Sequence, residues 1–445
     1  MGDTIAAIAT ARGEAGVAIV RISGPQAQRI LGECFQAARG NVAPGRLCYG
    51  HVVDGQGEAM DEAMGVLMKG PASYTREDVA EIQCHGGEVN AQRVLRRVLE
   101  AGARLAEPGE FTRRAFENGR MDLSQAEAVM ALVGAKGQAA ARAAVRQMSG
   151  GVSQLVEEAA KGILDMLSLI EAGNDFPEEV EEQAARDQLL RDIRQVYRAL
   201  QRAGDPTRAR LVRSGAVAAL CGRPNTGKSS LMNALLEYQR AIVTNQPGTT
   251  RDTLTETMEV EGLPVALTDT AGQRDCADQA ERIGVDRARQ AEEQADLVLL
   301  VLDGSQSAQP EDLDMISRAD QRYLAVINKC DRPLVFDVNL VKHLERVSTC
   351  ALNGAGLDQL RAAIRRRLSG AAAEEALITG ERQLALCAQA LQRLESARTG
   401  LEAGFPADVA AVDLQGALEA MWSITGKNAR ESVIDQVFSR FCVGK

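Results

Sequence analysis

Gly222-Arg223-Pro224-Asn225-Thr226-Gly227-Lys228-Ser229 is the stretch that decides the fold of this chain. It satisfies G-x-x-x-x-G-K-[ST] at every fixed position. The apolar run Ala216–Cys221 leads into it as a buried strand, and residues 230–236 follow as the first turns of a helix. In that setting the glycines let successive N–H groups turn inward on phosphate oxygens, and the helix N-terminus adds partial positive charge. Asn225, Thr226, Gly227, Lys228, Ser229 and Ser230 are therefore the expected phosphate cradle. Lys228 is placed to reach the β- and γ-phosphates of a nucleotide, and the Ser229 hydroxyl to ligate Mg²⁺.

The motifs downstream fall in the order such a nucleotide site needs. Thr249-Thr250-Arg251-Asp252 follows Gln246-Pro247-Gly248, and the Thr250 hydroxyl is the expected second Mg²⁺ ligand. A strand over 264–268 runs into Asp269-Thr270-Ala271-Gly272. There Asp269 would hold the metal from its second shell, and the Gly272 N–H would face the γ-phosphate. Strands over 296–303 and 323–327 come next, the latter ending at Asn328-Lys329-Cys330-Asp331. An Asp331 carboxylate accepts from guanine N1–H and N2–H₂ together. Adenine offers neither donor, so the wrong base would leave a buried carboxylate unpaired. Asn328 and Lys329 are read as braces for the loops. Cys350-Ala351-Leu352 stands where a last loop would give a backbone N–H to guanine O6. Four motifs in this order predict a GTPase.

Composition narrows the setting. The chain has 445 residues, 45% apolar and 25% charged, which suits two or three soluble domains. A net charge of −10 argues against broad polyanion binding, so any nucleic acid would be met at a local patch or through a partner. Nine cysteines without a C-x-x-C pair fit reduced thiols of the cytoplasm rather than disulfides or zinc. No apolar run is long enough to span a membrane, and the start lacks a signal peptide pattern. Aromatics at 3% speak against base-stacking platforms.

The periodicity shifts along the chain. Residues 1–118 mix short strands (15–23, 65–68, 79–84) with a helix over 89–99, as in an α+β module. From 119 to 213 the spacing turns helical, with stripes Val152, Val156, Ile163, Met166, Ile170 and Leu189, Ile193, Val196, Leu200, separated by Asn174-Asp175-Phe176-Pro177. Strands and helices alternate over 214–369. Helical texture returns over 370–445, after a loose Ala-rich stretch at 371–376. The simplest account is an α/β domain inserted into a helical bundle built from both flanks.

Outside the nucleotide motifs, the chain resembles the MnmE (TrmE) family of tRNA modification GTPases over Asp3 to Lys445. The resemblance is carried by Asp3-Thr4-Ile5-Ala6-Ala7-Ile8-Ala9-Thr10, Arg21-Ile22-Ser23-Gly24, Tyr74-Thr75, His85-Gly86-Gly87, Pro108-Gly109-Glu110-Phe111-Thr112 and Phe441-Cys442-Val443-Gly444-Lys445. It implies a multidomain fold: an α+β N-terminal folate-binding and dimerisation domain, an all-α helical domain, and an inserted α/β Ras-like P-loop G domain. It also implies a cytoplasmic homodimer that works with an FAD-containing partner, MnmG (GidA). Together they would modify C5 of the wobble uridine of certain tRNAs with a one-carbon unit from a tetrahydrofolate (5-formyl or 5,10-methylene).

Carried over residue by residue, the resemblance makes Arg21, Glu81, Arg120 and Lys445 folate contacts. Position 120 is arginine where relatives often have lysine, which keeps the charge and alters the donor geometry. Asn225 becomes a K⁺ ligand with Thr244, Gln246 and Thr249, in a loop whose closing would need two G domains face to face, so that K⁺-dependent G-domain dimerisation drives the cycle; read from the residue alone, it is equally a loop-bracing side chain. Glu281 matches the family's general-base or water-orienting glutamate, or else a carboxylate at a helix start. Gln273 departs from the family's usual apolar residue and stands where Ras-type enzymes keep their water-positioning glutamine. Cys350 departs from a usual serine. Cys442 is either a thiolate near the folate pocket or a small packed residue, and His85 either an acid–base group or a turn residue. Two rival readings remain. A ribosome-assembly GTPase would need an RNA-binding appendage, and none is readable. A GTP-gated scaffold would do no chemistry of its own.

Overall fold

The computed structural model describes residues 2–11, 13–176, 181–240, 255–260, 262–269, 291–369 and 377–444. The chain divides into two compact units, residues 1–130, 147–197 and 385–445 in one and 131–146 with 198–384 in the other.

The first unit begins with a seven-stranded sheet. Its strands are β1 Ile5–Ile8, β2 Val17–Ser23, β3 Phe35–Ala37, β4 Cys48–Val53, β5 Ala59–Met68, β6 Val79–His85 and β7 Arg104–Leu105, in the order β3-β4-β5-β6-β2-β1-β7. All pairings are antiparallel except β1 with β7. Alternation decides which face is buried. Ala80, Ile82 and Cys84 of β6 and Ala18, Val20 and Ile22 of β2 enter a core shared with helices α1 Ala27–Cys34 and α2 Glu88–Glu100. Glu81 and Arg21 take the opposite parity, and the register sets them directly across from each other.

Helix α3 Glu110–Glu117 follows, then the helical part: α4 Leu123–Val133, α5 Gln138–Met148, α6 Gly151–Asp175 and α7 Glu182–Ala203. On α6 the expected stripe is buried, Val152 through Ile170. The helix runs on through Asn174 and Asp175, so the break falls at Phe176, two residues later than the sequence suggests.

The second unit holds α8 Pro206–Ser214 and a six-stranded sheet. Its members are β8 Ala216–Cys221, α9 Lys228–Arg240, β9 Thr255–Val260, β10 Leu263–Asp269, β11 Leu297–Asp303, α10 Pro310–Ser317, β12 Tyr323–Asn328, β13 Glu345–Ser348 and α11 Leu357–Ser369. The strand order is β13-β12-β11-β8-β10-β9, parallel throughout except for the β9–β10 hairpin. Because both faces are covered, β11 is buried at all seven positions and reads as six consecutive apolar residues, Leu-Val-Leu-Leu-Val-Leu, ending at Asp303. Alternate residues of β8 serve the two cores: Ala218 and Leu220 one, Ala219 and Cys221 the other.

Helices α12 Glu381–Glu402, α13 Ala407–Thr425 and α14 Glu431–Phe438 close the chain. Helix α13 packs along α6. Residues 147–197 and 385–445, from either side of the α/β region, thus share one unit, as expected of an inserted domain. Among the described residues no helix is long and apolar enough to cross a membrane.

Candidate functional site

The phosphate loop leaves the carboxyl end of β8 and enters α9, the end of a parallel sheet where α/β folds bind ligands. Its backbone takes left-handed turns that bare N–H groups on one side. Gly222 has φ 142° and Gly227 φ 95°, and Asn225, a non-glycine, sits at φ 64°. At both glycines the space is taken as well. A Cβ at 222 would lie 2.3 Å from the Val301 carbonyl oxygen, and one at 227 2.4 Å from Asn328 Nδ2. The motif's glycines are therefore set by close approach to β11 and β12 in addition to torsion.

Lys228 is buried, and its ammonium donates to the carbonyls of Gly222 and Arg223, both at 2.8 Å. The Thr226 hydroxyl donates to the same Arg223 carbonyl at 3.0 Å. Asn328 Nδ2 donates to the Thr226 carbonyl at 2.9 Å, and Lys329 Nζ to the Asn225 carbonyl at 2.8 Å and to Asp303 Oδ2 at 2.7 Å. Burial works to raise the Asp303 carboxyl. The Lys329 ammonium and the hydroxyl and N–H of Ser305 outweigh it and hold the group below the usual carboxylate range. The structure thus joins two motifs more than 100 residues apart in sequence: the N-K-x-D loop holds the phosphate loop by two side chains.

The third loop closes on the second. The Thr349 hydroxyl lies 3.4 Å from Asn328 Oδ1, which also accepts from the Ala351 N–H at 3.3 Å. The Cys350 N–H is taken by the Ala355 carbonyl at 2.9 Å. Its buried thiol donates to Asp331 Oδ1 at 3.1 Å. Leu352 projects outward, 84% exposed. Asn225, Thr226, Gly227, Lys228, Asn328, Lys329, Asp331, Cys350 and Ala351 are therefore gathered at one end of the sheet, with Ser229 and Ser230 in the first turn of α9. Asp269 ends β10 in register with Leu220. The Asp269 side chain, with Thr244, Gln246, Thr249, Thr250, Thr270, Ala271, Gly272, Gln273 and Glu281, lies outside the described residues, and so does the stretch 371–376.

A second cluster forms in the first unit. Arg21 Nε donates to Glu81 Oε1 at 2.8 Å, and its Nη1 donates to the Gly444 carbonyl at 3.4 Å. The guanidinium lies 5.5 Å from the Tyr74 ring centroid and 5.8 Å from that of Phe111. Arg120 stacks on the same Tyr74 ring at 4.6 Å and donates to the Tyr74 carbonyl at 2.7 Å. Tyr74 links Arg21 to Arg120, a role that single-residue reading misses because its aromatic ring carries no charge signal. The tail is drawn in by a bridge between Pro108 and Val443 and by the Gly109 N–H on the Cys442 carbonyl. Cys442 is exposed, and Lys445 lies outside the described residues.

His85 is the end of β6 rather than a turn residue. Its Nδ1 lies 2.7 Å from Asp61 Oδ1, its N–H donates to Asp61 Oδ2 at 2.9 Å, and Asn90 donates to that oxygen at 2.7 Å. The Asp61 contact raises the imidazole above its ordinary value. Partial burial works to raise the Asp61 carboxyl, and the bonds from His85 and Asn90 leave it below the usual range.

Comparison with known proteins adds the following. A family described as the MnmE helical domain matches residues 123–442, and one described as GTP-binding protein TrmE N-terminus matches residues 4–120. The tRNA modification GTPase MnmE of Symbiobacterium thermophilum is 43% identical over 454 residues, covering 100% of this chain and 99% of that protein. The one from Chloroflexus aurantiacus is 45% identical over 455 residues, covering 100% of both. Among solved structures, the G domain of the T. maritima FeoB iron transporter is 28% identical, covering 34% of this chain and 98% of that one with a TM-score of 0.26.

Proposed function

The chain belongs to the MnmE family of tRNA modification GTPases, and from that premise we propose how its residues divide the work. The observation that carries the reading is the bracing of one motif by another: Asn328 and Lys329 hold the phosphate loop while Asp331 stays on the same loop for the base. GTP is hydrolysed by water attack on the γ-phosphate. Lys228 neutralises charge developing on the β- and γ-oxygens, and the cradle N–H groups orient them. Glu281 orients the water, with Gln273 as the alternative.

The donor set fits a magnesium nucleotide, because a hydroxyl at Ser229 follows the buried lysine at a helix N-terminus. Ser229 and Thr250 would hold Mg²⁺, backed by Asp269. Asn225, Thr244, Gln246 and Thr249 would hold K⁺. These cations supply positive charge to the phosphates where other GTPases use an arginine.

Guanine selection by Asp331 has a direct test. Asp331→Asn exchanges an acceptor oxygen for a donor amide, which suits the 2-oxo edge of xanthine. We expect GTP affinity to fall at least about a hundredfold while XTP binding appears, as for sites that match buried polar groups to one substrate. Unchanged GTP binding, read by titration calorimetry, removes the assignment.

The first unit supplies the folate site, with Glu81 pairing the N–H donors of a pterin edge. Arg21, Arg120 and Lys445 meet its polar and anionic parts, and Cys442 lies on the adjoining tail. The Arg21–Glu81 pair, held between Tyr74 and Phe111 beside the tail, supports this reading. Replacing Arg21 by Ala is expected to weaken binding of 5-formyl-tetrahydrofolate about tenfold or more, the cost of one charged hydrogen bond. Wild-type calorimetry in that variant would exclude the site. As a homodimer the chain would act with the FAD-containing MnmG (GidA) on tRNA in the cytoplasm, in four segments: 1–118, 119–213, 214–369 and 370–445.

A further inference from the structure

The phosphate loop contains a side chain that the nucleotide chemistry does not account for. Arg223 Nε donates to Asp312 Oδ2 at 2.8 Å. Asp312 lies in the first turn of α10 and is 2% exposed. Its Oδ2 also accepts from the Gln309 N–H at 3.0 Å, half of a capping box. Its Oδ1 is buried and has no hydrogen-bond partner among the described residues.

That arrangement is a poor way to stabilise a fold. A helix start is capped as well by an exposed side chain that keeps its water. Burying a carboxylate with one oxygen unmatched adds a desolvation cost that a single ion pair does not reliably offset. The pair's other end shows what it achieves. The Arg223 carbonyl accepts from the Lys228 ammonium and the Thr226 hydroxyl. The side chain of Arg223 is thus fixed to α10 while its main chain fixes Lys228.

We propose that Asp312 and Arg223 are positioning residues for the phosphate site, acting through the Arg223 carbonyl on Lys228. The inference rests on reading residues 222–229 as that site. It makes α10, which has no motif of its own, the abutment against which the loop is held.

The test replaces the pair by apolar side chains, Arg223→Met with Asp312→Leu. Exchanging a buried ion pair for packed hydrocarbon commonly leaves stability equal or higher, so a purely structural role predicts normal nucleotide binding. Leucine also removes the acceptor of the Gln309 N–H, so we expect the melting temperature to fall by no more than the cost of that one capping bond. Affinity for fluorescent GDP and GTP should fall about tenfold, the scale of one charged hydrogen bond. The preference for GDP over IDP should stay as it is, since the base end is untouched. A folded double variant with wild-type GDP affinity overturns the proposal.

Should the double variant fail to fold, Arg223→Lys serves instead. It keeps a cation opposite Asp312 and loses the Nε donor. A weaker affinity at an unchanged melting temperature supports the inference, and full affinity overturns it. Failure of the site reading looks different: the unaltered protein would then bind no GDP at all.

Discussion

His85 and Asp61 show how one side-chain pair carries a pH signature. The imidazole is raised by its bond to Asp61, so the stabilisation it brings is complete below the unfolded value, about 6.5. It fades as pH rises through the folded value. Asp61 is depressed on balance, so its share is present above about 3.9 and is lost as pH falls through its folded value. Asp61→Asn should return the His85 titration, followed by NMR, towards its ordinary midpoint. The variant should also lose more stability at pH 6 than at pH 9, in urea melts. An unmoved midpoint would show that the 2.7 Å contact does not persist in solution. At this scale the sequence was a partial guide. The loop glycines, Lys228 and Asp331 are legible because their chemistry fixes both type and spacing. Arg223, Asp312 and Tyr74 were not, because each acts through a partner far along the chain. Cys350 could be seen as a departure from serine, but its bond to Asp331 joins two loops that only the fold brings together.

Among elements, the hairpin β9–β10 and helix α5 belong together. The Ala139 N–H, in the first turn of α5, donates to the Gly262 carbonyl at the hairpin tip at 3.0 Å. One of the helix's otherwise unpaired N–H groups is thereby satisfied. Gly137 lets the two meet. A Cβ there would stand 2.6 Å from Pro264 Cδ and 2.9 Å from the Gly262 carbonyl oxygen. Gly137→Ala should therefore destabilise the protein by about 1–3 kcal/mol, the usual cost of overpacking. Equal denaturation midpoints for the two proteins would remove this contact as a constraint. Elements with a strong period were readable: β6, α6, and β11 with its unbroken apolar run. The strands that went unread are β1, β3, β4, β7, β9 and β13, and β5 was read only over its last four residues. In β9 only Met258 and Val260 are fully buried among Thr and Glu, and β13 has four residues at the sheet edge. Very short strands, edge strands and, in β4, a buried face of only Gly50 and Val52 leave too little pattern to stand out.

At the scale of the whole molecule, the α/β unit interrupts a helical region whose two flanks pack together, and the shift in texture near residues 214 and 370 made this visible in the sequence. The K⁺ reading adds a second chain. If Asn225 helps to hold K⁺ where two G domains meet, single-turnover GTP hydrolysis should slow at least about tenfold when Na⁺ replaces K⁺, a loss of some 1.4 kcal/mol in barrier lowering. GTP with K⁺ should also bring G domains together in light scattering or small-angle scattering. Equal rates in the two salts would refute the assignment.

The bond from Arg21 to the Gly444 carbonyl spans 423 residues. A ribosome adding about 5–20 residues per second needs roughly 20–90 s to get from one to the other. Strands β1–β7 end at Leu105, so for most of that interval the sheet has been made while the residue that completes the Arg21 contact has not. The nascent sheet therefore waits with the Arg21 guanidinium short of one acceptor until Gly444 is added.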